Sequence, residues 1–91
     1  MNRYKFIISG KVQGVFYRKS IQQFASLGQI QGYVKNLKDK RVEVVAFLYD
    51  DQFDDFLKIL QNGSPLSKVE NIEYEILDEN DLIYDGFEIR S

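Results

Sequence analysis

The sequence has no cysteine and no histidine, and it holds one proline and one methionine in 91 residues. These gaps exclude whole classes of chemistry: disulfide scaffolds, thiolate nucleophiles, phosphohistidine, iron–sulfur ligation, and imidazole as a base or metal ligand. Any catalysis has to manage without them. A net charge of −2 argues against a basic surface for nucleic acid, so an anion site would have to be local. The apolar run Phe6 to Ile8 is short, and no stretch reaches membrane-spanning length. With cysteine also absent, a soluble, cytoplasmic protein is expected, a monomer by default. The 44% hydrophobic content and the length suit one domain over residues 1–91, with a core and two packed layers.

What is present is organised around Gly10-Lys11-Val12-Gln13-Gly14-Val15-Phe16-Tyr17-Arg18. This two-glycine segment joins an apolar strand, Tyr4 to Ser9, to a helix expected from Tyr17 to Leu27. At a helix start the first N–H groups have no intrahelical partner and carry partial positive charge. An acidic residue normally offsets that charge, yet Arg18 and Lys19 occupy the first turn and no acid lies between Gly10 and Ser20. A bound phosphate or carboxylate would supply the missing charge, with Gly10 and Gly14 letting it approach the backbone and Arg18 adding charge-assisted hydrogen bonds. Taken singly, the same residues read as a turn and two solvated cations.

The first helix should carry Ile21, Phe24 and Ala25 as its core stripe and stop at a left-handed Gly28. Ile30 to Leu37 reads as a second strand, Lys38-Asp39-Lys40 as a turn, and Arg41 to Tyr49 as an alternating third strand that pairs with the second. Asp50 and Asp51 open a second helix with Phe53, Phe56, Leu57 and Leu60 at i, i+3, i+4 and i+7, ended by Asn62-Gly63-Ser64-Pro65. A fourth strand from about Val69 to Leu77, an acidic stretch from Asp78 to Gly86 and a short strand at Phe87-Glu88-Ile89 complete the chain. Neither acidic cluster, Asp50 to Asp55 nor Asp78 to Asp81, has the pattern of a metal site. The order βαββαβ plus a terminal strand implies an α+β, ferredoxin-like sandwich: a mostly antiparallel sheet of four to five strands with two helices on one face. A right-handed crossover makes strands one and two parallel and brings Asn36 to the same end of the sheet as the glycine loop and Arg18.

The loop from Gly10 to Arg18 and the segment Gly32-Tyr33-Val34-Lys35-Asn36 resemble the two signatures of the acylphosphatase family. The resemblance continues through Arg41-Val42-Glu43-Val44, Gly63-Ser64-Pro65 and Phe87-Glu88-Ile89-Arg90. It implies a metal-free, cofactor-free hydrolase that cleaves the carboxyl–phosphate bond of a small acyl phosphate and releases inorganic phosphate. It further implies that Arg18 binds the phosphoryl group, that Asn36 positions the attacking water, and that the loop Gly10, Lys11, Val12, Gln13, Gly14, Val15, Phe16, Tyr17 cradles the phosphate. It also implies a five-stranded sheet with the last strand inserted between strands one and two. The sequence departs from the common pattern at Lys40, where glycine is usual, and at Ser64, where proline is usual. The first is expected to alter the turn and tilt Asn36, and the second to affect only the turn after helix two.

Because a carboxylate is a good leaving group, such a reaction needs no general acid. Asn36 does not titrate, so a phosphoryl oxygen of the substrate is expected to take the water's proton. Two other readings compete: an RNA-recognition module stacking bases on Tyr4, Phe6, Phe47 and Tyr49, and an accessory domain that binds a phosphorylated ligand without turning it over. The first lacks that module's glycine-containing signature, and nothing in the sequence identifies a pocket for the acyl group.

Overall fold

A computed structural model describes residues 1–77 and 86–90. Strand β1 runs from Asn2–Lys11, helix α1 from Tyr17–Leu27, β2 from Gly32–Asn36 and β3 from Val42–Leu48. A short 3₁₀ turn at Asp50–Gln52 leads into helix α2 at Phe53–Asn62, followed by β4 at Lys68–Leu77 and β5 at Phe87–Arg90. The acidic stretch expected from Asp78 lies outside the described residues up to position 85.

The strands form one sheet in the order β4-β1-β3-β2-β5. Both β1 and β2 pair antiparallel with β3, with Phe6 opposite Val44 on one side and Val34 opposite Val44 on the other, so β1 and β2 run parallel. The loop after β1 and the end of β2 therefore meet at one end of the sheet, as the crossover required. The last strand is not between β1 and β2. The two sides of β1 are taken by β3 and β4, and β5 adds parallel to the open outer side of β2, with Val34 beside Ile89.

Alternation decides which face is covered. Tyr4, Phe6 and Ile8 of β1, Val34 of β2, and Val42, Val44, Ala46 and Leu48 of β3 are buried with Ile21 and Ala25 of α1 and Phe56 and Leu60 of α2. The opposite face is largely polar, where Lys5 sits 3.7 Å from Glu43 and the Tyr33 hydroxyl donates to Glu43 at 2.8 Å.

Helix α1 differs from expectation in two respects. Phe24 is 49% exposed, and the inner stripe is Tyr17, Ile21 and Ala25, because a spacing of four repeated from Tyr17 keeps to the sheet side while Phe24 turns away. Gly28 has φ −83°, and Gln29, at φ 57°, is the left-handed residue instead. The Gln29 N–H donates to Ser26 O at 3.1 Å and the Ile30 N–H to Ala25 O at 2.9 Å, a Schellman closure one residue later than the glycine suggests. Ile30, held there, is buried beneath the helix end. In urea denaturation, Ile21→Ala should therefore lose about 2–5 kcal/mol, whereas Phe24→Ser should stay within about 0.5 kcal/mol of the parent.

Candidate active site

The loop between β1 and α1 has two sides. Val12, Val15 and Tyr17 point into the core and are almost fully buried, while Gln13, Gly14, Phe16 and Arg18 face outward. An open cavity of about 310 Å³ lies on that outer side, lined by Val12, Gln13, Gly14, Phe16, Tyr17, Arg18, Lys19, Asn36 and Ile89. The structure thus brings Arg18, Asn36 and most of the loop to one place. Gly10, Lys11 and Val15 do not line this cavity.

Three side chains hold the loop in place. The Tyr17 hydroxyl donates to Leu60 O at 2.7 Å, tying the start of α1 to the end of α2. Burial pushes the Tyr17 phenol well above its ordinary pKa, so it remains a neutral donor. The Gln13 side-chain amide donates to Leu37 O and Arg41 O, each at 2.9 Å, and so fastens the loop to the turn that follows Asn36. In that turn Lys40 takes φ 74°, the left-handed conformation for which glycine is suited, and the Leu37 N–H donates to Arg41 O at 2.8 Å.

The third interaction corrects the expectation for Ser64. Its side chain is buried and its hydroxyl donates to the Val15 carbonyl, so this residue supports the phosphate-loop candidate as well as the turn after α2. A trans peptide turns its C=O and N–H to opposite sides. Holding the Val15 carbonyl toward α2 therefore turns the Phe16 N–H the other way. The serine hydroxyl supplies a donor that a proline side chain would lack.

The two glycines serve different ends. A Cβ on Gly10 would come within 2.2 Å of Lys68 O, so glycine is required there by the close approach of β4, at the point where the β1–β4 register shifts. Gly14, at φ 72°, has nothing within 4 Å of its would-be Cβ and stands open to the cavity.

At the start of α1, Phe16 occupies the N-cap at φ 63° with no side-chain capping bond, and the first turn contains no acid. The first N–H groups of the helix are left without intrahelical partners. Arg18 is half-buried, and its Nη1 donates to Arg90 O of β5 at 3.0 Å. Arg90 in turn lies 4.3 Å over the Tyr33 ring and 3.1 Å from Glu88. In the cavity that Arg18 lines, the Asn36 Oδ1 is buried and has no hydrogen-bond partner among the described residues. A buried acceptor left unpaired costs about 1–3 kcal/mol, which a bound water would relieve. Sequence reasoning missed Lys19 and Ile89 as neighbours of this cavity. Ile89 enters only through the edge position of β5.

Donor groups and a guanidinium thus converge with an unpaired carboxamide oxygen at the C-terminal ends of two parallel strands. The elements that carry them form an α+β sandwich of the ferredoxin-like class. The acylphosphatase family model matches residues 4–89. The acylphosphatase of Borrelia garinii subsp. bavariensis is 48% identical over 81 residues, covering 88% of this chain and 87% of the relative. That of Bacillus licheniformis is 38% identical over 88 residues, covering 97% and 93%. The crystal structure of acylphosphatase from Bacillus subtilis superposes with a TM-score of 0.91 at 34% identity, over 100% of both chains. The chain belongs to the acylphosphatase family, hydrolases that act on acid anhydrides.

Stability measurements on three variants test the support of the loop. Ser64→Ala leaves the Val15 carbonyl without its donor and should lower unfolding free energy by about 1–3 kcal/mol. Gly10→Ala should destabilise by at least about 2 kcal/mol, since Lys68 backbone must move, while Gly14→Ala meets only the left-handed strain of about 1–2 kcal/mol.

Proposed function

We propose that this chain, working as one domain and as a monomer in the cytoplasm, hydrolyses acyl phosphates to a carboxylate and inorganic phosphate without metal or cofactor. In this reading the outward N–H groups of the loop and the Arg18 guanidinium hold the phosphoryl oxygens, and Asn36 holds the water. The observation that carries it is the unpaired Asn36 Oδ1 in the same cavity as Arg18 and the start of α1.

The chemistry follows from those groups. A water that donates one hydrogen to Asn36 Oδ1 has a lone pair free to attack phosphorus, opposite the carboxyl oxygen that leaves. The new P–O bond forms as the P–O bond to the acyl group breaks, and the carboxylate departs with its electron pair. A phosphoryl oxygen takes the water's proton, so no side chain has to titrate. Positioning and preorganised charge supply the rate. The fold also weakens the base-stacking alternative, because Tyr4 and Phe6 are buried beneath the helices.

The test is hydrolysis of benzoyl phosphate in the presence of EDTA, which should leave the rate of the parent unchanged. Arg18→Ala should lower kcat/KM by about 10²–10³ and abolish inhibition by inorganic phosphate. Asn36→Ala should keep phosphate inhibition near the parent value and lower kcat by about 100-fold, as expected for a misplaced nucleophile. A protein that binds phosphate but hydrolyses nothing would instead support an accessory binding domain.

A further inference from the structure

If the loop and Arg18 hold the phosphoryl group at one part of the cavity, the remainder has an apolar margin. Phe16 is 72% exposed although its chain neighbours Val15 and Tyr17 are buried. The alternation that turns those two inward turns Phe16 out, and it does so at φ 63°, where a bulky residue is strained. Ile89 is 45% exposed. It pairs with Val34, whose side chain is on the helix side of the sheet, so Ile89 emerges on that same side at the edge strand. Both residues line the cavity that contains Arg18 and Asn36, and Arg18 touches β5 at the residue following Ile89.

We propose that Phe16 and Ile89 form the seat for the acyl group and give the enzyme a preference for acyl phosphates with aromatic or other apolar acyl groups. The inference rests on the reading that the loop and Arg18 hold the phosphoryl group. An acyl group attached to that phosphoryl has to leave the seat through the open side, where these two side chains stand. A flat ring laid against them removes apolar surface from water on both partners, which a short acyl group does to a much smaller extent. Since the cavity is open, the discrimination falls toward the lower end of what an apolar pocket supplies.

The experiment compares kcat/KM of the full chain for benzoyl phosphate, acetyl phosphate and a carboxylate-bearing acyl phosphate such as succinyl phosphate. Two variants are used: Phe16→Asn, because asparagine tolerates left-handed φ, and Ile89→Ser on a separate element. The benzoyl-to-acetyl ratio should fall about fivefold to tenfold in each variant, near the lower limit for an apolar contact. A structural effect on the loop would lower both substrates together and leave the ratio unchanged, and that result overturns the proposal. A parent preference for the succinyl substrate that survives both changes but is lost in Lys19→Ala would also overturn it, in favour of a cationic acyl site. If the parent hydrolyses none of the three, the acyl-phosphate reading itself fails.

Discussion

The site depends on the burial of Val12, Val15 and Tyr17 behind the loop. A segment rich in backbone donors would otherwise be free to fold its N–H groups onto its own carbonyls or leave them in water. Anchoring alternate side chains in the core fixes the backbone between them and turns its donors to the outside. The same anchoring forces Phe16 into solvent in a left-handed conformation. Apolar packing, the least directional force in the molecule, thereby orients the most directional groups in it.

Topology brings the second half of the site. Because β3 lies between β1 and β2 and runs against both, the end of β2 is carried to the mouth of the loop without any contact specific to Asn36. The Gln13 amide then removes the remaining freedom by bonding both carbonyls that flank the turn, 24 and 28 residues away in sequence. Ser64 does the same from the side of α2, across 49 residues. Long-range bonds of this kind hold elements that local preference alone would leave loosely related.

Much of this was legible in the residues. The loop, the bounds of α1, the β2–β3 hairpin and the shared end of β1 and β2 follow from local pattern and the handedness of a crossover. Apart from the helix stop, which a local closure moves from Gly28 to Gln29, the misplaced features are set by partners distant in sequence. The position of β5 depends on which sheet edge is still open, and the burial of Phe24 on how α1 is rotated against strands that its own periodicity does not reveal. Gly10 looked like a residue that admits a ligand, but it faces the Lys68 backbone, a neighbour that no local pattern could supply. Ser64 was read by its place in a turn, whereas its hydroxyl reaches a carbonyl in the loop. Phe16 lay inside the recognised motif, yet its outward direction became clear only once both neighbours were seen to be buried.

The arrangement leaves two unmet demands of opposite kind within one cavity. The first turn of α1 presents donors and contains no acid, while Asn36 Oδ1 is an acceptor with no donor among the described residues. In most folds each would be a defect, and the simplest repair would be an aspartate at the start of the helix or a hydroxyl beside the amide. For the proposed reaction either repair would remove what the chemistry needs, since an internal carboxylate would compete with phosphate and an internal donor would displace the water. In the proposed reaction, a phosphoryl group with a water in line with it would meet both demands together, accepting from the amides and Arg18 while the water donates to Asn36. The absence of histidine and cysteine belongs to the same logic. When the leaving group departs unaided and the substrate carries its own base, catalysis reduces to holding those partners in register, which a rigid loop and a neutral amide can do.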